Sequence, residues 1–242
     1  AQTSAPRRLT GRIRQMVLGH AAVAMPVGIR AADFARSLDI DPIVVVHANT
    51  CNAQRIAAVT SGVQRHPTPT VVFVGRLMPH KGADLLCEVA RRLADDGVQV
   101  RIIGDGPERA NVEAVAAASD HVCVLGPQPP SVVAEEMAAA WLVLVPSRAE
   151  PWGVVVHEAL AAGTPVVATV EVGSTTDLIC DPSVGTVVAA DAGALYDACV
   201  EILRRADHAP DRCRGAALRV SYETATEELV AAIATASKRS VG

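Results

Sequence analysis

The chain has 242 residues, of which 50% are hydrophobic and 20% charged, a composition typical of a globular protein with a large core. A net charge of -4 and an aromatic content of 2% argue against nucleic acid as a partner, because neither a positive field nor stacking rings are provided. The six cysteines lack C-x-x-C spacing, so we expect buried, reduced thiols in a cytoplasmic protein rather than a zinc site. No apolar run approaches the roughly 20 residues that cross a bilayer, and the first residues lack a signal-peptide core.

The first 67 residues predict a single β-α-β unit. The basic start PRRLTGRIRQMVLGH favours a helix exposed to solvent, with peripheral contact to anionic lipid as the alternative. Two apolar strands, AAVAMP and PIVVVHA, flank a helix at IRAADFARSL. The polar segment QRHPTPT has the composition of a linker, and we place a domain boundary between residues 67 and 68.

Residues 68–206 alternate between strand and helix with short connections. Such alternation predicts an α/β domain with a Rossmann-like, doubly wound parallel sheet. Residues 207–242 predict one or two closing helices. The apolar runs that predict the six buried strands are VVFVG, VQVRIIG, HVCVLG, WLVLVPS, PVVAT and GTVVA.

Open parallel sheets bind ligands beyond the carboxyl ends of their strands. The glycines at these ends allow the backbone to approach a ligand closely. The loop PSRAEPWG follows the fourth of the six strands and leads into a helix. The candidate residues that follow the first two strands are Gly75, Arg76, Lys81, Gly104, Asp105 and Gly106.

The charges at this edge predict a bound nucleoside diphosphate that carries a sugar. Arg76 and Lys81 can neutralise phosphate oxygens, and the helix that begins near Gly153 directs free N–H groups toward the same anion. The carboxylate of Glu158, in the second turn of that helix, suits the vicinal hydroxyls of a ribose. Glu150, which precedes the helix, suits the hydroxyls of a sugar beyond the phosphates.

Several motifs occur together in one order: FVGRLMPHKG, GDGPE, VLG, LVPSRAEPWG, an E-x(7)-E pair and EALAAGTPVVAT. In this order and spacing they resemble the donor-binding, C-terminal half of the retaining glycosyl transferases called group 1, which have the GT-B fold. The resemblance covers about residues 71–206. Residues 1–67 resemble only the end of the family's N-terminal, acceptor-side domain and hinge.

The resemblance implies a role for each matching position. Arg76, Lys81 and Glu150 correspond to the catalytic set, and Glu158 to the ribose-binding glutamate. The implied substrates are a UDP- or GDP-sugar and an acceptor that is a glycan, a lipid or a small molecule, with no metal and no cofactor. The further implied donor contacts are the main chain of Trp152, Gly153 and Val154, and the segment from Leu125 to Gln128 near the base.

The sequence departs from the family pattern in two places. A Gly-Gly pair is replaced by Gly173 and Ser174, which is expected to alter how this loop meets the donor. The glycine-rich loop and the acceptor-side histidine of the family's first domain are not visible. We therefore expect an acceptor-binding domain upstream in the same chain or in a separate one, and little transfer by these residues alone.

Two other functions remain open from the sequence. The chain could be a sugar-nucleotide epimerase of the same architecture, although that class needs acid and base residues that we cannot map. It could also be a non-enzymatic subunit that binds a nucleotide sugar for a separate acceptor-binding chain.

Some residues favour a structural role over a chemical one. Asp39 and Asp41 have the spacing of metal-binding acids, but a surface turn is the better interpretation. GDGPER departs from the dinucleotide motif at Arg109, which argues against NAD. We expect His157 to lie at the surface or to pack, whereas His80 lies in the cationic loop and could touch phosphate.

Overall fold

The structure, a computed structural model, describes residues 16, 21, 23–37, 43–44, 49–205 and 209–239. Its contacts define a large unit, from Thr50 to Ser221, and a small unit formed by residues before and after it. The domain limits expected at 67/68 and 206/207 stay predictions. Most of the basic start, together with Asp39 and Asp41, lies outside the described residues.

The small unit contains a short parallel strand pair. Strand β1 (Val23–Ala24) pairs with β2 (Ile43–Val44), and helix α1 (Gly28–Arg36) lies between them in the chain. The helix buries Ala32 and Ala35. This order of elements is the β-α-β unit predicted from the sequence.

The large unit is built on one parallel sheet. All six predicted strands are present, and their order is β5-β4-β3-β6-β7-β8. Both β6 and β7 are buried at every residue, which explains their continuous apolar runs. The strands are β3 (Thr70–Val74), β4 (Gln99–Ile103), β5 (Val122–Gly126), β6 (Leu142–Val145), β7 (Val166–Thr169) and β8 (Gly185–Val188).

The direction in which the chain adds successive strands to the sheet reverses between β3 and β6. From β3 the chain moves outward to β4 and β5, then crosses to the other side of β3 and continues through β6, β7 and β8. At such a reversal, the loops that leave neighbouring strands diverge to opposite faces and open a crevice. The topology therefore predicts a ligand crevice at the carboxyl ends of β3 and β6.

Helices connect the strands and close the chain. Two short ones, α2 and α7, were not predicted, because four to seven residues are too few for helical periodicity to show in the sequence. The helices that follow α1 are α2 (Ala53–Val59), α3 (Ala83–Asp95), α4 (Arg109–Ala117), α5 (Pro130–Ala139), α6 (Val154–Ala162), α7 (Thr175–Leu178), α8 (Ala192–Arg204), α9 (Pro210–Leu218) and α10 (Tyr222–Arg239).

Two apolar layers lie on the two faces of the sheet. One is formed with α3, α4 and α8, to which Leu86 and Leu195 contribute fully buried side chains. The other is formed with α2, α5, α6 and α9, with Leu160 and Met137 at its centre. The sheet is thus covered on both faces, as the predicted α/β fold requires.

Helix α10 belongs to the small unit and contacts β1. It exposes the aliphatic side chains of Leu229, Val230 and Ile233, and the ring of Tyr222 at its start. No helix among the described residues is long and apolar enough to cross a membrane. Four of the six cysteines are buried free thiols as expected, whereas Cys123 and Cys180 are exposed.

Candidate functional site

Two glycines after β4 allow its loop to lie directly against the loop after β3. A Cβ atom on Gly104 would lie 1.9 Å from the carbonyl oxygen of Gly75, and one on Gly106 would lie 2.3 Å from that of Leu77. The N–H of Leu77 donates to the carbonyl of Asp105 at 2.9 Å. The predicted glycines therefore hold two strand-end loops together, and their contact with a donor stays a prediction.

Asp105 stabilises its own turn. Its Oδ1 accepts a hydrogen bond from the N–H of Gly106 at 2.8 Å and lies 3.6 Å from Nη1 of Arg109. Arg109 also donates to Glu113 at 2.7 Å. The carboxylate of Asp105 is thus already used in a local network, which is the structural role that the sequence left open.

The two predicted phosphate-binding cations differ in their surroundings. Arg76 is exposed and forms no ion pair with any described residue. Lys81 ends a 3-10 turn (Pro79–Lys81), and its Nζ donates to Oε2 of Glu150. The exposed fractions of these two side chains are 26% for Lys81 and 12% for Glu150. The structure therefore brings together two of the predicted catalytic residues that lie 69 positions apart.

Main-chain hydrogen bonds fix the two loops that carry this ion pair. The carbonyl of His80 accepts from the N–H groups of Arg148 and Ala149, at 2.9 and 3.0 Å. Arg148 also donates two hydrogen bonds, at 3.2 and 2.6 Å, to the carboxylate of Asp84, which lies a few residues after His80. The loop after β3 and the loop after β6 are thus joined on both sides of the ion pair.

Close backbone packing adds to this connection. Gly82 has φ of 73°, and a Cβ atom there would lie 1.9 Å from the carbonyl oxygen of Pro146. Any other residue at position 82 would separate the loops, because the contact is with backbone that cannot move aside. Neither Gly82 nor Arg148 was among the predicted site residues.

The loop that begins α6 is held in place by contacts with the segment after β7. Gly153 has φ of 89°, and a Cβ atom there would lie 2.7 Å from Val172. The N–H of Ser174 donates to the carbonyl of Trp152 at 2.8 Å, and the hydroxyl of Ser174 donates to the carbonyl of Gly153 at 3.2 Å. No described side chain caps the helix, and the N–H of Val156 donates to the carbonyl of Gly153 at 3.0 Å, so the N–H groups of Val154 and Val155 stay available.

The structure explains why a serine can replace the second glycine of the Gly-Gly pattern. Gly173 donates its N–H to the carbonyl of Glu150 at 2.9 Å, and a Cβ atom on it would lie 2.0 Å from the carbonyl oxygen of Pro151. The first glycine is therefore sterically required. Ser174 is tolerated at the second position because its side chain bonds to the loop at the start of α6.

Of three other predicted donor contacts, Trp152 and Gln128 lie in loops and Leu125 lies in β5. Trp152 is 5% exposed, and its Nε1 has no hydrogen-bond partner among the described residues. After β5, Nε2 of the half-buried Gln128 donates to the carbonyl of Leu125 at 2.7 Å. Their roles toward a nucleotide base or sugar stay predictions.

Glu158 is a half-buried carboxylate. Among the described residues it has no hydrogen-bond or ion-pair partner, and burial raises the pKa of its carboxyl. Burial and, to a smaller extent, the charge of Glu158 raise the pKa of the neighbouring Cys51 thiol to about 12. A half-buried acid without a partner, in a helix at a sheet edge, is a common property of ligand sites.

His157 packs inside the protein, which is one of the two alternatives, surface or packing, that we expected from the sequence. It is fully buried, and Nδ1 accepts from the N–H of Cys51 at 3.3 Å while Nε2 donates to the carbonyl of Ala217 at 2.9 Å. Burial lowers the pKa of the imidazole, in agreement with a neutral ring. The residue thus ties α6 to the segment before α2 and to the end of α9.

In the part of the chain that the structure describes, no three His, Cys, Asp or Glu side chains lie close enough together to hold a metal ion. His80 is exposed, and its carbonyl rather than its ring contributes to the loop contacts.

Residues 43–217, well over half of the chain, match the model of the glycosyl transferases group 1 family. The chain belongs to this family. It is 36% identical over 171 residues to a D-inositol 3-phosphate glycosyltransferase of Mycobacteroides abscessus, which covers 67% of this chain and 38% of that protein. It is 30% identical over 211 residues to a phosphatidyl-myo-inositol mannosyltransferase of Mycobacterium leprae. The aligned region covers 84% of this chain and 56% of that protein. The chain therefore spans only part of the length of these relatives.

A solved structure shares the fold. The Anabaena protein HepE, determined in complex with UDP and glucose, superimposes with a TM-score of 0.74 at 18% identity, over 95% of this chain and 68% of that one. At this identity the likeness concerns the fold alone. The large unit has the Rossmann-like architecture of GT-B glycosyltransferases, as the motifs implied.

Proposed function

We propose that this member of the group 1 family provides the donor site of a retaining glycosyltransferase. The enzyme would transfer a sugar from a nucleoside-diphosphate sugar to an acceptor hydroxyl without a metal ion. One observation supports this most strongly: Lys81 and Glu150 meet where the sheet reverses, beside the uncapped N-terminus of α6. A cation, an acid and free N–H groups at one crevice match the phosphate and hydroxyl groups of such a donor.

In this proposal the cations stabilise the leaving group. The bond between the sugar C1 and the phosphate oxygen breaks, and its electron pair passes to the diphosphate. Lys81 and Arg76 neutralise that charge together with the first N–H groups of α6, so an additional metal ion is not needed. The acceptor oxygen bonds to C1 on the face that the diphosphate leaves, and the hydroxyl proton passes to a phosphate oxygen.

The two glutamates divide the hydroxyl groups of the donor. Glu158 has no partner among the described residues and accepts hydrogen bonds from the ribose. Glu150, which pairs with Lys81 in the structure, accepts from the sugar. Together they fix the sugar carbon relative to the diphosphate, and positioning of this kind supplies a large part of enzymatic rate.

The names of similar proteins support the substrate class. HepE was solved with UDP and glucose, which supports a UDP-type donor. Both curated relatives are named for a phosphorylated inositol, which supports a polyol hydroxyl, free or in a lipid, as the acceptor. The acceptor would bind to a domain that these residues do not provide.

Calorimetric titration with UDP-, GDP- and ADP-sugars tests the proposal. Arg76→Ala and Lys81→Ala should each weaken nucleoside-diphosphate binding by about 1.5–3 kcal/mol, the range for hydrogen bonds to charged groups. Binding of the corresponding nucleoside should hardly change, because it lacks the phosphates. An equal loss for nucleoside and diphosphate would contradict the assignment of these cations.

A further inference from the structure

The guanidinium group of Arg109 is held over the last residue of β5. Its Nε donates to Oε1 of Glu113 at 2.7 Å, and its Nη1 lies 3.6 Å from Oδ1 of Asp105. A Cβ atom on Gly126, which ends β5, would lie 3.8 Å from the same Nη1. The second terminal nitrogen, Nη2, has no partner among the described residues, and 41% of the side chain is exposed. Two carboxylates therefore orient an arginine that keeps N–H groups available at the edge of the sheet.

A hydrogen-bond acceptor lies at the same strand end. Gln128 follows Gly126 by two residues, and its Nε2 donates to the carbonyl of Leu125 at 2.7 Å. This hydrogen bond ties the side chain of Gln128 to the end of β5. The other amide atom, Oε1, has no partner within the described part of the chain. The end of β5 thus carries both the donors of a guanidinium group and the acceptor of an amide.

These groups lie at the edge of the sheet where the nucleotide is proposed to bind. Strand β5 is two strands away from β3, which is about 10 Å at the usual spacing of strands. The segment after β5 leads into α5, and α5 packs against α6, the helix that carries Glu158. Under the proposed function, a nucleotide with its phosphates at Lys81 and its ribose at Glu158 has the end of β5 within reach of its base.

We propose that Arg109 selects the base of the donor, a role that rests on the proposed function, and that it favours a base with a ring carbonyl beside a ring N–H. Uracil, guanine and hypoxanthine have this edge. The guanidinium group donates to the carbonyl oxygen, and Oε1 of Gln128 accepts from the N–H. Cytosine and adenine would instead direct an amino group at the guanidinium group, so that two donors meet. Because the base is neutral, the carboxylates of Asp105 and Glu113 do not repel it.

Calorimetric titration with two matched pairs of nucleoside diphosphates tests this selection. UDP and CDP differ at one edge of the base, where uracil has a carbonyl beside an N–H and cytosine has an amino group beside a bare nitrogen. IDP and ADP differ in the same way, and IDP stands for GDP because hypoxanthine lacks only the amino group of guanine. The carbonyl member of at least one pair should bind about tenfold more tightly than its amino counterpart. The pair that shows the preference distinguishes a pyrimidine from a purine donor.

Substitutions then assign the preference to a side chain. Arg109→Met keeps the aliphatic stem and removes the donors, so it should reduce the preference to about twofold or less. Gln128→Leu, which removes the acceptor, should lower it in the same direction. Arg91→Met is the matched control and should leave the preference unchanged, because Arg91 is an exposed arginine on α3 that pairs with Glu88.

Two kinds of result would overturn the role of Arg109, and they differ in what they say about the donor site. If the diphosphates bind without a preference, or if Arg109→Met keeps the preference of the parent, Arg109 does not read the base, while the proposed function stands. If none of the four diphosphates binds, the proposed function fails together with the role of Arg109.

Discussion

Replacement of Glu150 by glutamine should strengthen the binding of a nucleoside diphosphate. In the structure the carboxylate of Glu150 neutralises Lys81, so a diphosphate must displace it before the ammonium group can bind phosphate. Glutamine removes the competing charge and keeps the size of the side chain. The same substitution should reduce the additional affinity that the sugar contributes, because a hydroxyl donates more weakly to an amide than to a carboxylate.

The magnitude follows from the exposure of the pair. Two unit charges about 4 Å apart attract by about 4 kcal/mol at an effective dielectric constant of about 20. Exposed fractions of 26% and 12% allow water to screen part of this attraction. We therefore expect a gain of about 1–2 kcal/mol, or about 5–30-fold tighter binding of the diphosphate. Loss of the charged acceptor should cost the sugar about 1 kcal/mol, or about fivefold.

Calorimetry should compare the nucleoside diphosphate with its sugar ester in each variant. The ratio of the two dissociation constants isolates the sugar contact, since the gain at Lys81 is common to both ligands. Asp84→Asn is the matched control, because Asp84 is a nearby carboxylate that pairs with Arg148 instead of Lys81. In a Lys81→Ala background, Glu150→Gln should no longer improve diphosphate binding, which a double-mutant cycle measures.

Three results would refute this reasoning. Weaker diphosphate binding by Glu150→Gln would mean that the carboxylate supports the phosphate contacts. An equal gain from Asp84→Asn would mean that general charge, not the ion pair, controls affinity. An unchanged ratio for diphosphate and sugar ester would mean that Glu150 does not contact the sugar.

Glu158→Gln should raise the free energy of unfolding at pH 7 while it weakens nucleotide binding. Because burial raises the carboxyl pKa, the folded state loses stability as pH rises from the unfolded value of 4.5 through the folded pKa; urea unfolding against pH should show a smaller loss in the variant. For His157, burial lowers the pKa below 6.5, so stability should be complete above pH 6.5 and fall as pH decreases through the folded pKa. His157→Gln should flatten that dependence and cost about 1–3 kcal/mol. EDTA should not change donor affinity; a magnesium or manganese requirement that disappears on substitution of Asp39 or Asp41 would contradict the proposal.

The sequence was sufficient to predict the sheet. Runs such as WLVLVPS and PVVAT are apolar at every strand position because β6 and β7 are buried on both faces, so the pattern was unambiguous. Helix α2 was missed, because only Ala53 of its seven residues is buried and the periodic signal is weak. Its start depends on the side chain of Asn52, which accepts from the N–H of Arg55, and such a cap is recognised with confidence only beside a longer helix.

The candidate site was predictable where residues follow strand ends. Arg76, Lys81 and Glu150 could be placed at one edge because parallel strands end there together. The structure adds the ion pair between Lys81 and Glu150, which no spacing in the sequence discloses. It also adds Arg148 with Asp84, whose contact depends on how two loops meet across the sheet reversal. The full burial of His157 escaped prediction because its two partners come from segments 106 and 60 residues away.

The two glutamates of the candidate site have different surroundings, and the difference has a physical consequence. The charge of Glu150 is satisfied within the protein by Lys81, whereas Glu158 is half-buried without a described partner and has a raised pKa. The phosphates of a donor would replace Glu150 at Lys81, and the hydroxyl groups of the donor would supply the hydrogen bonds that Glu158 lacks. A bare phosphate would break the ion pair without satisfying Glu158. A nucleoside would satisfy Glu158 but leave the ion pair intact. Under the proposed function, this arrangement would favour a ligand that presents both chemistries together, as a nucleotide sugar does.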